Sequence, residues 1–357
     1  MNRIDIHTHM VGNGDDIKNV DNDVWFNPKS DNVWLTRIAY AMLEDNMKNQ
    51  GADLNGDKTI STYEYTELLY KLFTESKELN GIVLLAMDAV YTDDGQIDLD
   101  ETYLIVSNRY LDNLVKKLNQ RLKNDKYENK RFYLGASINP NRKDCLEELK
   151  YVIDKTDAVL LKIIPSAQHI KLMDELHKPF FNMMAKGKLP LLSHTGPEYI
   201  FPEGVHRKEL DNYTFLQNPL SCGVTVIAAH CCAPVFPVFD SDHINEFSNF
   251  MKTANADGKI RLYTDTSGLS FSTRIPYIPE ILRLIDQRWM LYGTDFPIPI
   301  DTWQHLPFLT YHMDITEYDD IINTKNPFDR DIKIKSAHGF SDSNLDNTAK
   351  VIRLQRQ

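Results

Sequence analysis

Several short apolar runs in this sequence end in, or are closely followed by, a histidine or an aspartate. These residues are His7, His9, His194, His230, Asp265 and Asp295. Imidazole nitrogens and carboxylate oxygens are ligands that suit Zn²⁺ or another first-row divalent metal ion. A single histidine at the end of a run is more often a hydrogen-bonded core residue than a ligand. The set therefore predicts a metal site only in a fold that brings these ends together.

Eight such runs divide the chain, and stretches with helical periodicity separate them. The runs span residues 3–7, 81–87, 132–137, 158–163, 189–194, 224–230, 260–265 and 289–292. Each is short, rich in branched apolar residues and almost free of polar alternation, which is typical of strands buried on both faces of a parallel sheet. Residues 145–153 and 170–184 show the amphipathic pattern of connecting helices.

This order of elements predicts an α/β fold, specifically a (β/α)8 TIM barrel, with an open doubly wound sheet as the alternative. No G-x-G-x-x-G motif follows a run, which weakens the dinucleotide-binding form of that alternative. Residues i and i+2 of a strand point to the same side, so His7 and His9 are expected to reach inward together. We expect one barrel over residues 1–357, with a long helical insertion at 11–80 and another after the eighth strand, from about 300 to 345.

The composition is that of an ordinary globular protein, with 357 residues, 42% of them hydrophobic and 25% charged. A net charge of -11 argues against a nucleic-acid partner, which would require a basic surface. No run approaches the ~18 apolar residues of a membrane span, and the first residues lack a secretory pattern. The four cysteines show no C-x-x-C spacing. We therefore expect a reduced, cytoplasmic protein that binds a small molecule and no membrane. The sequence leaves open whether the protein forms a homodimer.

Seven stretches carry a family resemblance when they are taken together and in order. They are IDIHTHM at 4–10, FYLGASINP at 132–140, LLKIIP at 160–165, LLSHTG at 191–196, VIAAHC at 226–231, LYTDTSG at 262–268 and LYGTDFP at 291–297. This set resembles the amidohydrolase superfamily, and specifically its amidohydrolase-2 branch. That branch includes aminocarboxymuconate-semialdehyde decarboxylase-like enzymes and predicted metal-dependent hydrolases of TIM-barrel fold. LDNTAKVIRL at 345–354 resembles the helix that closes such domains.

The resemblance implies a role for each of the polar residues at the strand ends. The implied ligands of one divalent ion, most simply Zn²⁺, are His7, His9, His194 and Asp295. His230 is then the general acid/base beside the activated water, and Asp295 accepts a proton from that water or orients the water. Asp265 either supports a ligand from behind or caps its own turn, and the residues alone leave both interpretations open.

Three further positions are expected to serve a second metal ion or the substrate: Lys162, Asp265 and Arg274. In binuclear relatives a lysine on the fourth strand becomes carboxylated and bridges two metal ions. The branch that this sequence resembles is mostly mononuclear, which favours one ion. Lys162 is otherwise a partner for a substrate carboxylate or a structural lysine. Glu198 and Tyr199, which follow His194, are expected to line the pocket.

The insertion holds a second motif, D-L-N-G-D-K-T-I-S-T-Y-E, which resembles an EF-hand calcium loop. The expected Ca²⁺ ligands are Asp53, Asn55, Asp57, Thr59, Ser61 and Glu64, at loop positions 1, 3, 5, 7, 9 and 12. Lys58 stands where the glycine of such loops makes a sharp turn. Helical patterns flank the loop at 35–43 and 65–73. The alternative is an acidic helix–turn–helix held by side-chain caps.

These features together predict a metal-dependent hydrolase of the amidohydrolase-2 type that acts on a small molecule. The alternative is a lyase, a non-oxidative decarboxylase or hydratase that uses the same metal on a carboxylated substrate. A decarboxylase should present a cationic group near the metal, for which Lys162 and Arg274 are the available residues. A third hypothesis is a non-catalytic binding protein built on a barrel that has lost its enzymatic activity. The complete set of strand-end histidines and aspartates argues against it.

Overall fold

Eight parallel strands form one sheet in a computed structural model, which describes residues 3–28, 44–56, 59–201, 207–236, 239–300 and 314–354. The strands are β1 (Ile4–His9), β3 (Gly81–Leu85), β5 (Arg131–Ala136), β6 (Ala158–Ile163), β7 (Leu191–Ser193), β8 (Val226–Ala228), β9 (Leu262–Asp265) and β10 (Met290–Leu291). They pair in the order β1-β3-β5-β6-β7-β8-β9-β10. Each of the eight predicted runs overlaps one of these strands.

The first and last strands also join, which closes the sheet. The amide of Ile6 donates to the carbonyl of Tyr292 at 3.1 Å, and Thr8 forms a parallel bridge with Phe296. A doubly wound sheet has two free edges, whereas this sheet has none at that position. The predicted (β/α)8 barrel is therefore confirmed, and the open-sheet alternative is wrong.

The apolar runs fill both sides of the barrel wall. One buried cluster joins side chains from β1, β3, β6, β7, β8 and β10, which can meet only across the barrel interior. On β3, Val83 and Leu85 belong to this inner cluster, whereas Ile82 and Leu84 pack outward under the helices. Because both faces are buried, most of the strands lack the polar alternation of a half-exposed sheet, and β1, with the sequence IDIHTH, is the exception.

Helices follow the strands around the barrel. The described α-helices are α1 (Thr62–Glu75), α2 (Asn108–Asn124), α3 (Cys145–Lys155), α4 (Pro165–Gln168), α5 (Lys178–Lys186), α6 (Gln217–Ser221), α7 (Ile244–Ala254), α8 (Ile278–Leu284), α9 (Ile315–Asn323), α10 (Pro327–Ala337) and α11 (Asp342–Leu345). Residues 44–49 are helical as well. No helix in the described ranges is long and apolar enough to cross a bilayer.

Two helix predictions had different outcomes. The helix predicted at 145–153 is confirmed as α3. The helix predicted at 170–184 is wrong in its first half, because α5 begins only at Lys178. Asp174 caps a short 3-10 turn by accepting the amide of Leu176. Pro179 has no amide hydrogen to donate, so it is best placed in the first turn of a helix and not in its middle.

The insertion between β1 and β3 is not purely helical. Its strand β2 (Trp25–Phe26) pairs antiparallel with β4 (Leu104–Ile105), a strand pair that the sequence analysis did not predict. Helix α1 confirms the pattern at 65–73 and buries Tyr65, Leu68 and Phe73. The helical pattern at 35–43 lies outside the described residues.

The C-terminal segment closes the barrel at the end where the strands begin. Ile352 packs in the inner cluster, and the amide of Arg353 donates to the carbonyl of Val159 at 2.8 Å. The buried guanidinium of Arg3 donates to Glu78, Asp342 and Asp346 at 2.8–3.2 Å. These contacts leave the opposite end, where the strands terminate, to form a site.

Candidate metal centre and cavity

The ends of β1 and β10 bring three of the predicted ligands together. His9 Nε2 lies 3.2 Å from Asp295 Oδ1, and His7 Nε2 lies 3.4 Å from the same oxygen. One ligand atom from each residue falls within 4.8 Å of the others. Two histidines and a carboxylate at this spacing can hold a divalent cation. His9 is the most accessible of the three and therefore opens the cluster to the cavity.

Asp265 sets the orientation of His7 from behind. Its Oδ2 accepts from His7 Nδ1 at 2.8 Å, while its Oδ1 accepts the amides of His230 and Ser267 at 2.9 and 3.1 Å. Each oxygen of Asp265 thus makes one of the two predicted kinds of contact, because Oδ2 contacts the His7 ring and Oδ1 caps the turn at Ser267. Since His7 donates from Nδ1, its Nε2 carries the lone pair that a metal ion requires.

His194 and His230 form the second part of the site. His230 Nδ1 lies 2.8 Å from Ser267 Oγ and 3.1 Å from the Ser267 carbonyl, so this nitrogen is the donor. His230 Nε2 then accepts from His194 Nδ1 at 3.1 Å. His194 Nε2 is left buried and with no hydrogen-bond partner among the described residues. A buried lone pair without a donor is costly in a protein interior, and a metal ion would satisfy it.

The charges of the site favour neutral histidines and ionised aspartates. Burial lowers the pKa of His7 to about 4 and that of His230 to about 3, and it lowers the pKa of His194 well below its usual value. Burial raises the pKa of Asp295, but the neighbouring His230 and His7 and a hydrogen bond from His9 outweigh it and hold that pKa well below its usual range. Neutral imidazole and carboxylate are the forms that bind metal.

Lys162 is buried in the barrel and does not extend to solvent. Its Nζ lies 3.0 Å from His7 Nε2 and faces the same lone pair that a metal ion would use. Burial lowers the pKa of this amine to about 8, against the opposing pull of Asp265 and Asp295. The contact therefore places Lys162 in the interior of the barrel, beside His7, and not at the surface.

The backbone at these strand ends is strained. Asp295 has a φ of 70° and His230 a φ of 62°, in the left-handed region that side chains other than glycine rarely adopt. Such conformations cost on the order of 1–3 kcal/mol each and are concentrated at functional sites. Gly293 lies against His7, because a Cβ added at Gly293 would stand 2.9 Å from the Cβ of His7.

A cavity of about 480 Å³ opens onto this cluster. Its walls are mainly apolar and include Met10, Phe26, Met47, Leu104, Phe236 and Phe271. Its polar lining includes His9, His194, His230, Glu198, Arg274 and Asp295. The insertion contributes to this wall through Phe26, Met47 and Tyr65. A largely apolar cavity with a few converging polar groups is the usual form of a small-molecule site.

Several of the lining residues have defined partners. Glu198 Oε2 lies 3.7 Å from His194 Nδ1, and Glu198 Oε1 accepts the amides of Tyr199 and Ile200. Arg274 is 5% exposed, and its Nε has no hydrogen-bond partner among the residues that the structure describes. Glu198, Tyr199 and Arg274, which the sequence predicts as pocket residues, all line the cavity. The link that Ser267 makes between Asp265 and His230 was not predicted, although Ser267 follows Asp265 by two residues.

The loop that resembles a calcium site shows the contacts of a capped turn. Ser61 and Glu64 form a reciprocal capping box at the start of α1, and Glu64 Oε1 also accepts the amides of Leu54 and Asn55. Asp53 accepts the amide of Gly56 at 2.7 Å. Asp57 and Lys58 lie outside the described residues. Calcium binding by Asn55, Thr59 and Ser61 with these acids stays a prediction.

Comparisons with known proteins give structural neighbours only. No family model matches the sequence, and no curated protein matches it. Among solved structures, 5-carboxyvanillate decarboxylase from Sphingomonas paucimobilis is 12% identical with a TM-score of 0.47, covering 99% of both chains. A protein described as amidohydrolase II is 13% identical with a TM-score of 0.43, covering 92% of this chain and 99% of its own.

An uncharacterized TIM-barrel protein from Bordetella bronchiseptica is 13% identical with a TM-score of 0.47, covering 94% of this chain and 99% of its own. At these identities and TM-scores the neighbours assign no substrate and no residue role to this chain.

Proposed function

We propose that this protein is a metal-dependent hydrolase of the amidohydrolase-2 type that acts on a small-molecule substrate. The observation that carries the proposal is the convergence of His7, His9 and Asp295 at the end of the barrel. His194, whose Nε2 has no hydrogen-bond partner among the described residues, lines the same cavity. The cavity next to this cluster provides the place for a substrate.

The contacts of each polar residue in the site support a different role for it. His7, His9, His194 and Asp295 would hold one divalent ion, and the nitrogen-rich donor set suits Zn²⁺. When bound, that ion would activate water for attack on a carbonyl-type bond. His230 lies between His194 and Ser267, where its neutral imidazole can move a proton between substrate and site. Asp265 holds His7 in the tautomer that binds metal.

Metal analysis of the purified protein tests the site directly. We expect about one divalent transition-metal ion per chain in the wild type and a loss of most of it in the double variant His7→Ala/His9→Ala. His243→Ala is the matched control, because His243 is exposed and lies at the start of α7, away from the cluster. Unchanged metal content in the double variant, with the protein folded, would refute the ligand assignment.

A carboxylated substrate is favoured by one further observation, which supports the decarboxylase alternative. Arg274 is a buried cation that lines the cavity, and its Nε lacks a partner in the described part of the chain. A guanidinium in an apolar wall is well suited to bind a carboxylate. We therefore propose non-oxidative decarboxylation as the second candidate function.

A substrate panel separates the two functions. Metal-loaded protein should be tested with esters, lactones and amides on one side and aromatic or unsaturated carboxylic acids on the other, with release of CO2 as the readout for the second group. Release of CO2 that Arg274→Gln abolishes while metal content stays unchanged would establish the lyase. Hydrolysis without CO2 release would establish the hydrolase.

A further inference from the structure

Tyr65, on helix α1 of the insertion, reaches the strand end that carries His9. Its hydroxyl donates to the main-chain carbonyl of His9 at 2.6 Å. The side chain is fully buried, and it also lines the cavity. A residue of the insertion therefore fixes the backbone of a predicted metal ligand.

The ring of the same tyrosine contacts the neighbouring strand end. It lies nearly parallel to the ring of Phe296, with an interplanar angle of 13° and centroids 6.3 Å apart. Phe296 directly follows Asp295, and its carbonyl accepts the amide of His9 at 2.8 Å. Tyr65 thus touches both chain segments whose side chains meet at 3.2 Å in the metal cluster.

We propose that Tyr65 is a positioning residue that holds His9 and Asp295 together and thereby raises the affinity of the site for metal. The inference rests on the proposed metal-dependent function. Ligands that are held in place before binding lose little conformational freedom when the ion arrives. A second contact from the insertion acts in the same way, because Asn46 Nδ2 donates to the carbonyl of Pro297 at 3.1 Å. The insertion is then part of the metal site as well as a wall of the cavity.

The same helix supplies a matched control. Tyr70 also donates its hydroxyl to an oxygen at 2.6 Å, but its partner is Asp125, which is not part of the cluster. Tyr65→Phe and Tyr70→Phe therefore each remove one hydroxyl hydrogen bond of equal length from α1. Metal-free samples of both variants and of the wild type should be titrated with Zn²⁺ in competition with a chelator, and the Tm of each metal-free sample should be recorded.

We expect Tyr65→Phe to weaken Zn²⁺ binding about tenfold, the lower end of the effect of losing a group that supports a ligand. Tyr70→Phe should bind Zn²⁺ within about twofold of the wild type, and the Tm of each metal-free variant reports the structural cost of losing its hydrogen bond. Equal Zn²⁺ affinity in the two variants would overturn the inference, because the role of Tyr65 would then be structural only. A wild type that binds no Zn²⁺ would refute the metal site itself, and the role of Tyr65 with it.

Discussion

Replacing Asp265 by asparagine should weaken metal binding without touching a ligand. The carboxylate accepts the His7 ring with one oxygen and the amides of His230 and Ser267 with the other. An asparagine has one acceptor and one donor group, so it cannot serve both sides. If its oxygen stays with the two amides, its NH2 faces His7 Nδ1 and forces that ring to carry its proton on Nε2.

The expected size of the effect follows from this switch of tautomer. A protonated Nε2 cannot bind metal, and loss of such a supporting group typically costs 10–100-fold in metal affinity, or about 1.4–2.7 kcal/mol. In the opposite rotamer the amide NH2 faces two backbone donors. The cost then appears as lost stability of about 1–3 kcal/mol for each unsatisfied group.

Two measurements on the same samples distinguish these outcomes. Zn²⁺ affinity by chelator competition reports the tautomer, and urea unfolding of the metal-free protein reports the stability. Ser267→Ala is the comparison variant. It removes the hydroxyl contacts to Oδ1 of Asp265 and Nδ1 of His230, but the main-chain carbonyl of residue 267 still accepts from His230, and the bond from Oδ2 of Asp265 to His7 stays intact. A folded Asp265→Asn protein whose stability and Zn²⁺ affinity both match those of the comparison variant would refute the reasoning.

Three further predictions address other parts of the molecule. Lys335→Met should lower the free energy of unfolding by about 3–5 kcal/mol in urea titrations. The fully buried Lys335 donates to Asp331 at 2.6 Å, and its loss leaves the buried carboxylate without a cationic partner. A decrease below about 1 kcal/mol would contradict this. Gly293→Ala should weaken Zn²⁺ binding with little change in helix content, because the added Cβ would stand 2.9 Å from the Cβ of His7 and displace that ring. Unchanged Zn²⁺ affinity would show that the added methyl group does not displace His7. Burial lowers the pKa of His177 below its ordinary 6.5, so the unfolded state binds more protons and stability falls as pH drops below 6.5. His177→Gln should reduce that fall between pH 7 and pH 5 in urea titrations, and equal slopes would contradict the assignment.

The barrel and the polar residues at its strand ends could be predicted from the sequence alone. Strands buried on both faces are largely apolar, so the eight runs were visible and each overlaps a strand. The polar residues that close these runs were visible for the same reason, since a charged or imidazole side chain within an apolar stretch is conspicuous. Helix α1 was predicted equally well, because its apolar positions recur with helical spacing.

Which of those residues are in contact, and through which atoms, could not be predicted without the folded barrel. His7 meets Asp265 across 258 positions and Lys162 across 155, and neither distance leaves a periodic pattern in the chain. The same holds for Tyr65 of the insertion, which meets His9 across 56 positions. Local spacing reports which face of a strand or helix is buried, whereas the tautomer of a histidine depends on the one atom placed opposite it. That atom is supplied by whichever strand end or insertion the closed barrel brings there.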